Sequence, residues 1–311
     1  MEELRSVFCP AKLNLFLDVN GIDGNRFHRL TSLTVRVDFG DKLWLRFAEE
    51  GADGDFLSCD VAEIPTDERN SLLRALELFR QVFPFPRRLE MRLEKNIPVR
   101  SGLGGGSSDA AQLIYTLNRM LGQPLDRKGL IDLAAAVGRD CPLFLGSSPC
   151  IVRGTGERID APENFQADDL AHMKFLLFKP IFDVSTAWAY EVLDRSGMRK
   201  FISEKNSDGA LQSLLRNMRD GYRSGSFRNV FQDILCEKFM ELQRIFVDLP
   251  EYFHLDGHLT GTGSCGFVPM EEDADSGPVQ SYLREVLGEG ALIREVRPII
   301  DLRSPLADLV F

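Results

Sequence analysis

The chain has 311 residues and a mass of 35.0 kDa, a length at which one hydrophobic core usually gives way to two domains. Its net charge of −10 and pI near 5.1 argue against non-specific binding to nucleic acid or to an anionic membrane, both of which need a basic surface. The six cysteines are scattered without a CxxC pair, which reads as reduced, mostly buried thiols in a cytoplasmic protein rather than a zinc site.

The N-terminus opens on acidic residues and its apolar stretch is broken by Lys12 and Asn14. It reads as neither signal peptide nor membrane span, and no run elsewhere approaches about 18 apolar residues. Residues 12–19, KLNLFLDV, alternate as a strand with one buried face. Residues 30–47 give two strand-like runs with Gly40-Asp41 as the hairpin turn between them. Residues 70–83 carry apolar positions at helical spacing, with Asn70 as the cap. In RLEMRLEKNIPV, Leu89, Met91 and Leu93 alternate with Glu90, Arg92 and Glu94, the pattern of a half-exposed strand.

Residues 98–111 then read PVRSGLGGGSSDAA, with four glycines among the five positions 102–106. Residues 108–122 follow as an amphipathic helix stopping at Gly122, and residues 126–138 as a second helix ending at Gly138. The polar, acidic stretch 160–169 is the best domain boundary, dividing the chain into 1–162 and 163–311. Beyond it MKFLLFKP resembles a buried strand, and helical patterns with a glycine-rich turn, LTGTGSCGFVPM, give the second half an α+β character.

The glycine run fits neither well-known phosphate loop. No lysine follows it, as a Walker A loop requires, and Ser107 stands where a dinucleotide fingerprint needs its third glycine. Its physics is still that of an anion cradle. Glycines let the backbone reach positive φ and approach a ligand closely, and free N–H groups at a helix start point into the loop. A flexible turn whose serines cap the helix is the competing reading. The regular strand and helix on either side favour the cradle.

Three segments in order, PAKLNLFLDVNG (10–21), PVRSGLGGGSSDAA and LTGTGSCGFVPM (259–270), resemble the three motifs of the GHMP kinases. With Ala11-Lys12-Leu13-Asn14-Leu15, Phe27-His28, Lys95 and GRDCPLF, the likeness is closest to the branch acting on a cytidine-diphosphate-linked methylerythritol of the non-mevalonate isoprenoid pathway. The resemblance implies an α+β fold of two domains. An N-terminal ribosomal-S5-domain-2-like α/β domain and a C-terminal ferredoxin-like domain would flank the active-site cleft. The activity implied is ATP-dependent phosphorylation of the acceptor's 2-hydroxyl.

The same resemblance distributes the roles. Asp140 would be the base and Lys12 the cation beside it. Gly102, Leu103, Gly104, Gly105, Gly106, Ser107 and Ser108 would cradle the ATP phosphates, with Asn70 and Lys95 near the adenine and Pro98 also in contact with ATP. Asn14, Phe27, His28, Asp140, Thr186 and Tyr190 would bind the acceptor, the two aromatics sandwiching its cytosine. Gly261, Gly263 and Ser264 would support the phosphate side, and Ser108 would be a ligand of Mg²⁺. Two stretches depart from the family pattern. Asn25-Arg26-Phe27-His28 stands for Asp-Gly-Tyr-His, and Gly138-Arg139-Asp140-Cys141-Pro142 for Gly-Ala-Asp-Val-Pro. A mevalonate or homoserine kinase, or a nucleotide binder without catalysis, stays open as an alternative, as does a monomer or a homodimer.

Overall fold

A computed structural model describes residues 4–49, 51–195, 201–221 and 227–302. Strands β1 (Arg5–Ile22) and β2 (His28–Phe47) form a long antiparallel pair. They are joined by β3 (Phe56–Cys59), helix α1 (Ser71–Val82), β4 (Leu89–Glu94), α2 (Gly105–Met120), α3 (Arg127–Val137), β5 (Cys150–Gly154) and β6 (Arg158–Asp160). After α4 (Asp168–Ala171) come β7 (Met173–Lys179), α5 (Thr186–Arg195), α6 (Glu204–Arg219), β8 (Arg228–Asn229), β9 (His258–Leu259), β10 (Gly266–Glu271), β11 (Leu292–Val296) and β12 (Pro298–Ile299).

Two sheets result. The larger runs β3-β4-β2-β1-β8, with β5 and β12 also pairing with β2 and β6 with β5; the smaller runs β11-β7-β10-β9. Strands β8 and β12, from late in the chain, thus belong to the larger sheet. Helices α1 to α3 cover one face of that sheet over a core that includes Leu45, Phe79, Met91, Leu113 and Leu133. Its other face meets the smaller sheet and α6 through Leu13, Val35, Val37, Phe175, Leu177, Phe267, Leu211 and Met218.

The alternating residues 89–94 form β4, and Asn70 caps α1 by accepting from the Leu72 N–H at 2.9 Å. Two strand expectations change. β1 is buried on both faces from Cys9 to Val19, because helices lie on one side and the smaller sheet on the other, so Asn14 and Asp18 are buried with their apolar neighbours. Gly40-Asp41 is not a hairpin turn. β2 runs straight through it, and the register with β1 jumps from Pro10↔Gly40 to Ala11↔Val37. A Cβ at Gly40 would collide with the Cys9 carbonyl and the Phe8 ring, so the glycine answers to a neighbouring strand rather than to a turn. Among the described residues no helix is long and apolar enough to cross a membrane, and all six cysteines are free thiols.

Candidate active site

The glycine run sits where β4 hands over to α2. Gly102 and Gly104 take positive φ (81° and 75°), and α2 begins at Gly105, earlier than the serines suggest. Ser107 and Ser108 therefore lie inside the first turn; the Ser108 N–H already donates to the Gly104 carbonyl at 2.9 Å, so the free N–H groups of that turn belong to Gly105, Gly106 and Ser107. Strand β1 runs beneath: the Lys12 N–H donates to the Leu103 carbonyl at 3.0 Å. The third-motif turn closes from the other side. A Cβ on Gly102 would stand 2.6 Å from the Thr260 carbonyl, and one on Gly261 would stand 3.0 Å from the Gly102 carbonyl. The three sequence motifs, more than 240 residues apart at their extremes, meet here: the Cys265 N–H donates to the Ser101 carbonyl at 3.3 Å, and the Asn14 N–H to Thr260 Oγ1 at 2.9 Å (separation 246).

These elements wall a cleft of about 1110 Å³. Lys12, Asn14, Phe27, His28, Asn70, Lys95, Pro98, Gly102, Gly104, Gly105, Gly106, Ser107, Asp140, Thr186, Tyr190 and Gly261 all line it, drawn from β1, the β1–β2 turn, the α1 cap, the glycine loop, the turn after α3, and α5. Four expected residues do not. Leu103 is core, contributing its carbonyl to Lys12. Gly263 packs toward Leu235, and Ser264 is fully buried with its hydroxyl donating to the Phe182 carbonyl at 2.7 Å. Ser108 is fully buried beneath the loop, its hydroxyl without a hydrogen-bond partner.

That placement bears on Mg²⁺. No group of three or more His, Cys, Asp or Glu among the described residues could hold a metal ion. Mg²⁺ takes most of its ligands from phosphates and water and needs only one or two from protein. The residues fit an ion carried in with the triphosphate, with Ser107 as the hydroxyl on the cleft wall and Ser108 behind it.

Lys12 is almost wholly buried. Its ammonium is hydrogen-bonded to the Asn14 side-chain oxygen, while the Asn14 amide donates to Ser32 Oγ (2.8 Å) and Thr34 Oγ1 (3.2 Å), which fixes the amide's orientation. Burial pulls the Lys12 pKa down, and the Asp140 carboxylate opposes that shift. The two groups interact without forming an ion pair. Asp140 itself stands exposed in a turn that leads from Gly138 into a short 3₁₀ helix, Pro142–Leu145. Pro142 occupies the first position of that helix, where its missing N–H costs nothing.

Lys95 is the largest surprise in the adenine-side set. Its ammonium is buried against Asp41 and Asp109 (3.2 Å to the latter), directly behind Gly105. Asp41 also accepts the N–H groups of Asn96 (2.6 Å) and Ile97 (2.7 Å). At the acceptor end, Phe27 and Tyr190 both line the cleft, and each packs on a residue other than the opposite ring. The Tyr190 ring packs on His28 (centroids 4.4 Å apart) and Phe231 (4.9 Å), and His28 Nε2 bonds Asp194 at 2.8 Å. Burial, then Asp140, pushes the Tyr190 hydroxyl up to about 12. Phe27 instead carries the Arg139 guanidinium at 3.6 Å.

Known proteins resemble the chain in the same places. A family model described as the GHMP kinases N terminal domain matches residues 70–146, which covers α1, the glycine loop, α2, α3 and Asp140. A 4-diphosphocytidyl-2-C-methyl-D-erythritol kinase of Clostridium kluyveri is 30% identical over 267 residues, covering 84% of this chain and 89% of that one. The chain belongs to the 4-diphosphocytidyl-2-C-methyl-D-erythritol kinases, a branch of the GHMP kinase family. Solved structures agree on the fold. A crystal structure of a 4-(cytidine 5'-diphospho)-2C-methyl-D-erythritol kinase superposes with a TM-score of 0.72 at 24% identity, covering 94% of this chain and 99% of that one. A homoserine kinase from Cytophaga hutchinsonii superposes as well, at 0.73 and 16% identity, covering 98% and 97%. Shape therefore fixes the GHMP kinase fold, and sequence fixes the branch.

Against that family frame, the residues missed from sequence are Asp41, Asp109, Thr260 and Thr262. Asp109 stands in the second motif itself and could have been weighed as the partner of a buried lysine. Asp41 was hidden inside a supposed hairpin turn. Thr262 lines the cleft and shares a hydrogen bond with Thr186 (3.2 Å), tying the third motif to α5.

Proposed function

We propose that the protein transfers the γ-phosphoryl group of ATP to the 2-hydroxyl of 4-diphosphocytidyl-2-C-methyl-D-erythritol, giving the 2-phosphate and ADP in the non-mevalonate route to isoprenoid precursors. The observation that carries the reading is Lys12, buried under the glycine loop, with the Asp140 carboxylate acting on its charge across a cleft that the loop also lines. The family relationship supplies the acceptor.

Phosphoryl transfer asks chiefly for position and charge stabilisation. The N–H groups of the loop and of the first α2 turn offer oriented donors to the phosphates at no cost in reorganisation. The acceptor hydroxyl, seated between Lys12 and Asp140, attacks the γ-phosphorus. Its proton passes to the Asp140 carboxylate as the new O–P bond forms, and the bond to the β-phosphate oxygen breaks to release ADP. The Lys12 ammonium, held by Asn14, stabilises charge on the attacking oxygen and the transferred group. Mg²⁺, when bound with ATP, neutralises phosphate charge. His28, oriented by Asp194, offers a ring nitrogen at the end of the cleft where the cytosine is read.

The test is ATP consumption by purified protein offered the cytidyl acceptor, mevalonate or homoserine in separate reactions. Turnover with the cytidyl acceptor is expected, and turnover with only mevalonate or homoserine would overturn the assignment. Asp140→Asn is expected to lower kcat by at least about 100-fold, the value of a positioned base, with ATP affinity retained.

A further inference from the structure

Three arginines without an ion-pair partner among the described residues line the cleft, Arg100 beside the glycine loop and Arg26 and Arg139 at the acceptor end, and the phosphoryl-transfer chemistry assigns no role to the latter two. Arg26 and Arg139 both line it, alongside Phe27, His28, Asp140 and Tyr190. Resting on the function proposed above, we propose that Arg26 and Arg139 are specificity-determining residues that grip the diphosphate of the nucleotide-linked acceptor.

Arg139 is held in place from two sides. Its guanidinium carbon lies over the Phe27 ring, 3.6 Å from the centroid, and one terminal N–H donates to the Thr155 carbonyl at 3.1 Å. Among the described residues its other donors have no partner, and no carboxylate lies within ion-pair distance of it or of Arg26. By contrast, Arg69 on the same cleft is paired with Asp67 at 2.6 Å. In a chain of net charge −10, two arginines left without carboxylates on either side of Phe27 mark a place for an anion from outside.

Arg26 adds an independent sign. It occupies a turn at φ 67°, a conformation that glycine adopts without cost and an arginine does not. The turn is built to hold it there. Asp23 Oδ1 accepts the Asn25 (2.9 Å) and Phe27 (2.8 Å) N–H groups, and the Asp23 N–H donates to the Phe27 carbonyl at 2.8 Å. The same turn thus presents a cation into the cleft and sets the ring on which the second cation rests. Strain retained at such a position points to function.

The charge arithmetic favours a diphosphate. A planar guanidinium matches phosphate oxygens two at a time, and two fixed positive charges balance the two negative charges of a pyrophosphate linkage. The ATP phosphates already have the glycine loop. The other use of Arg139, as a platform on which the cytosine stacks, would give a different dependence on the ligand.

The experiment fills the ATP site with a non-hydrolysable ATP analogue, then measures binding of cytidine diphosphate and cytidine by calorimetry. Steady-state rates with the cytidyl acceptor run in parallel. Arg139→Ala and Arg26→Gly are each expected to weaken cytidine diphosphate roughly tenfold, the worth of a charge-assisted contact, while cytidine moves less than about twofold. KM for the acceptor should rise with that loss while kcat and KM for ATP hold. Arg139→Lys should recover part of the diphosphate preference, and Arg26→Gly relaxes the turn, so unfolding cannot explain its effect. Equal losses for cytidine and its diphosphate, or no loss in either, would overturn the proposal. Such results in a wild-type enzyme active on the cytidyl acceptor leave the assigned reaction standing, whereas an inactive wild type removes both.

Discussion

Two carboxylates around one ammonium leave a surplus negative charge, and that surplus sits under the phosphate loop. Lys95 is pulled down by burial but raised overall by Asp109 and Asp41. Asp109 is pushed up to about 7, by burial first and Asp41 as well, against the pull of Lys95. The Cys9 thiol, also raised by burial and by both aspartates, adds no compensating charge. One oxygen of Asp109 has no hydrogen-bond partner, as suits a carboxyl that holds a proton. The sign follows from linkage. The folded protein binds this proton more tightly than the unfolded chain, so the contribution is full below about pH 4 and is lost as pH rises through about 7. Urea unfolding between about pH 5 and 8 should show wild-type stability falling by about 1 kcal/mol or more on this account, and Asp109→Asn should flatten the slope. Parallel slopes in the two proteins would contradict it.

At the level of elements, the glycines of the loop are not equivalent. Gly102 combines φ 81° with a backbone carbonyl, Thr260, at 2.6 Å from where a Cβ would stand. Gly106 lies in helical backbone with only the Ser71 hydroxyl nearby, at 3.4 Å. Gly102→Ala should cost about 2 kcal/mol or more of unfolding free energy and raise KM for ATP, because strain and collision add. Gly106→Ala should leave stability within about 1 kcal/mol of wild type, or improve it. Thermal unfolding of the pair checks both statements, and equal losses would show that the motif contact at Thr260 matters less than its geometry indicates. The glycine run was readable as a strand-loop-helix anion site because local chemistry dictates it: alternation before, helical spacing after, no Cβ between. The alternation 89–94 and the Asn70 cap were readable for the same reason. What resisted reading was set from far away. Gly40 is demanded by Cys9 and Phe8 on the neighbouring strand, and Lys95 finds Asp41 54 residues back in sequence. Asp140 was singled out by family likeness alone, since no local pattern marks a turn carboxylate as one that acts on Lys12. Arg139 on Phe27 joins two loops that no local pattern relates.

For the molecule as a whole, length suggested two domains, and domains joined by a small interface often unfold apart. The packing argues otherwise. The core between the sheets draws Leu13, Val35 and Val37 from the larger sheet and Phe175, Leu177 and Phe267 from the smaller into one cluster. β8 pairs with β1, and β12 returns from the end of the described chain to pair with β2. Arg36 reaches Asp301 at 3.5 Å, and the backbones of Ser148 and Asp301 exchange two hydrogen bonds of 2.7 Å. Losing either sheet would strip the shared cluster from the other, so the two should melt together. The chain carries a built-in test, because its two tryptophans fall on opposite sides. Trp44 lies on β2, its indole N–H bonded to Glu94 at 3.0 Å, and Trp188 lies on α5 beneath Lys238 at 3.9 Å. In Trp188→Phe and Trp44→Phe variants the remaining tryptophan reports one side each. Urea titrations followed by fluorescence should give coincident midpoints within each variant when compared with far-ultraviolet circular dichroism. An ATP analogue should shift both probes together, since its loop is backed by residues of β1 and by Thr260 of the third motif. A tryptophan signal that departs from the dichroism in either variant would mean that the halves are energetically separate despite the shared core.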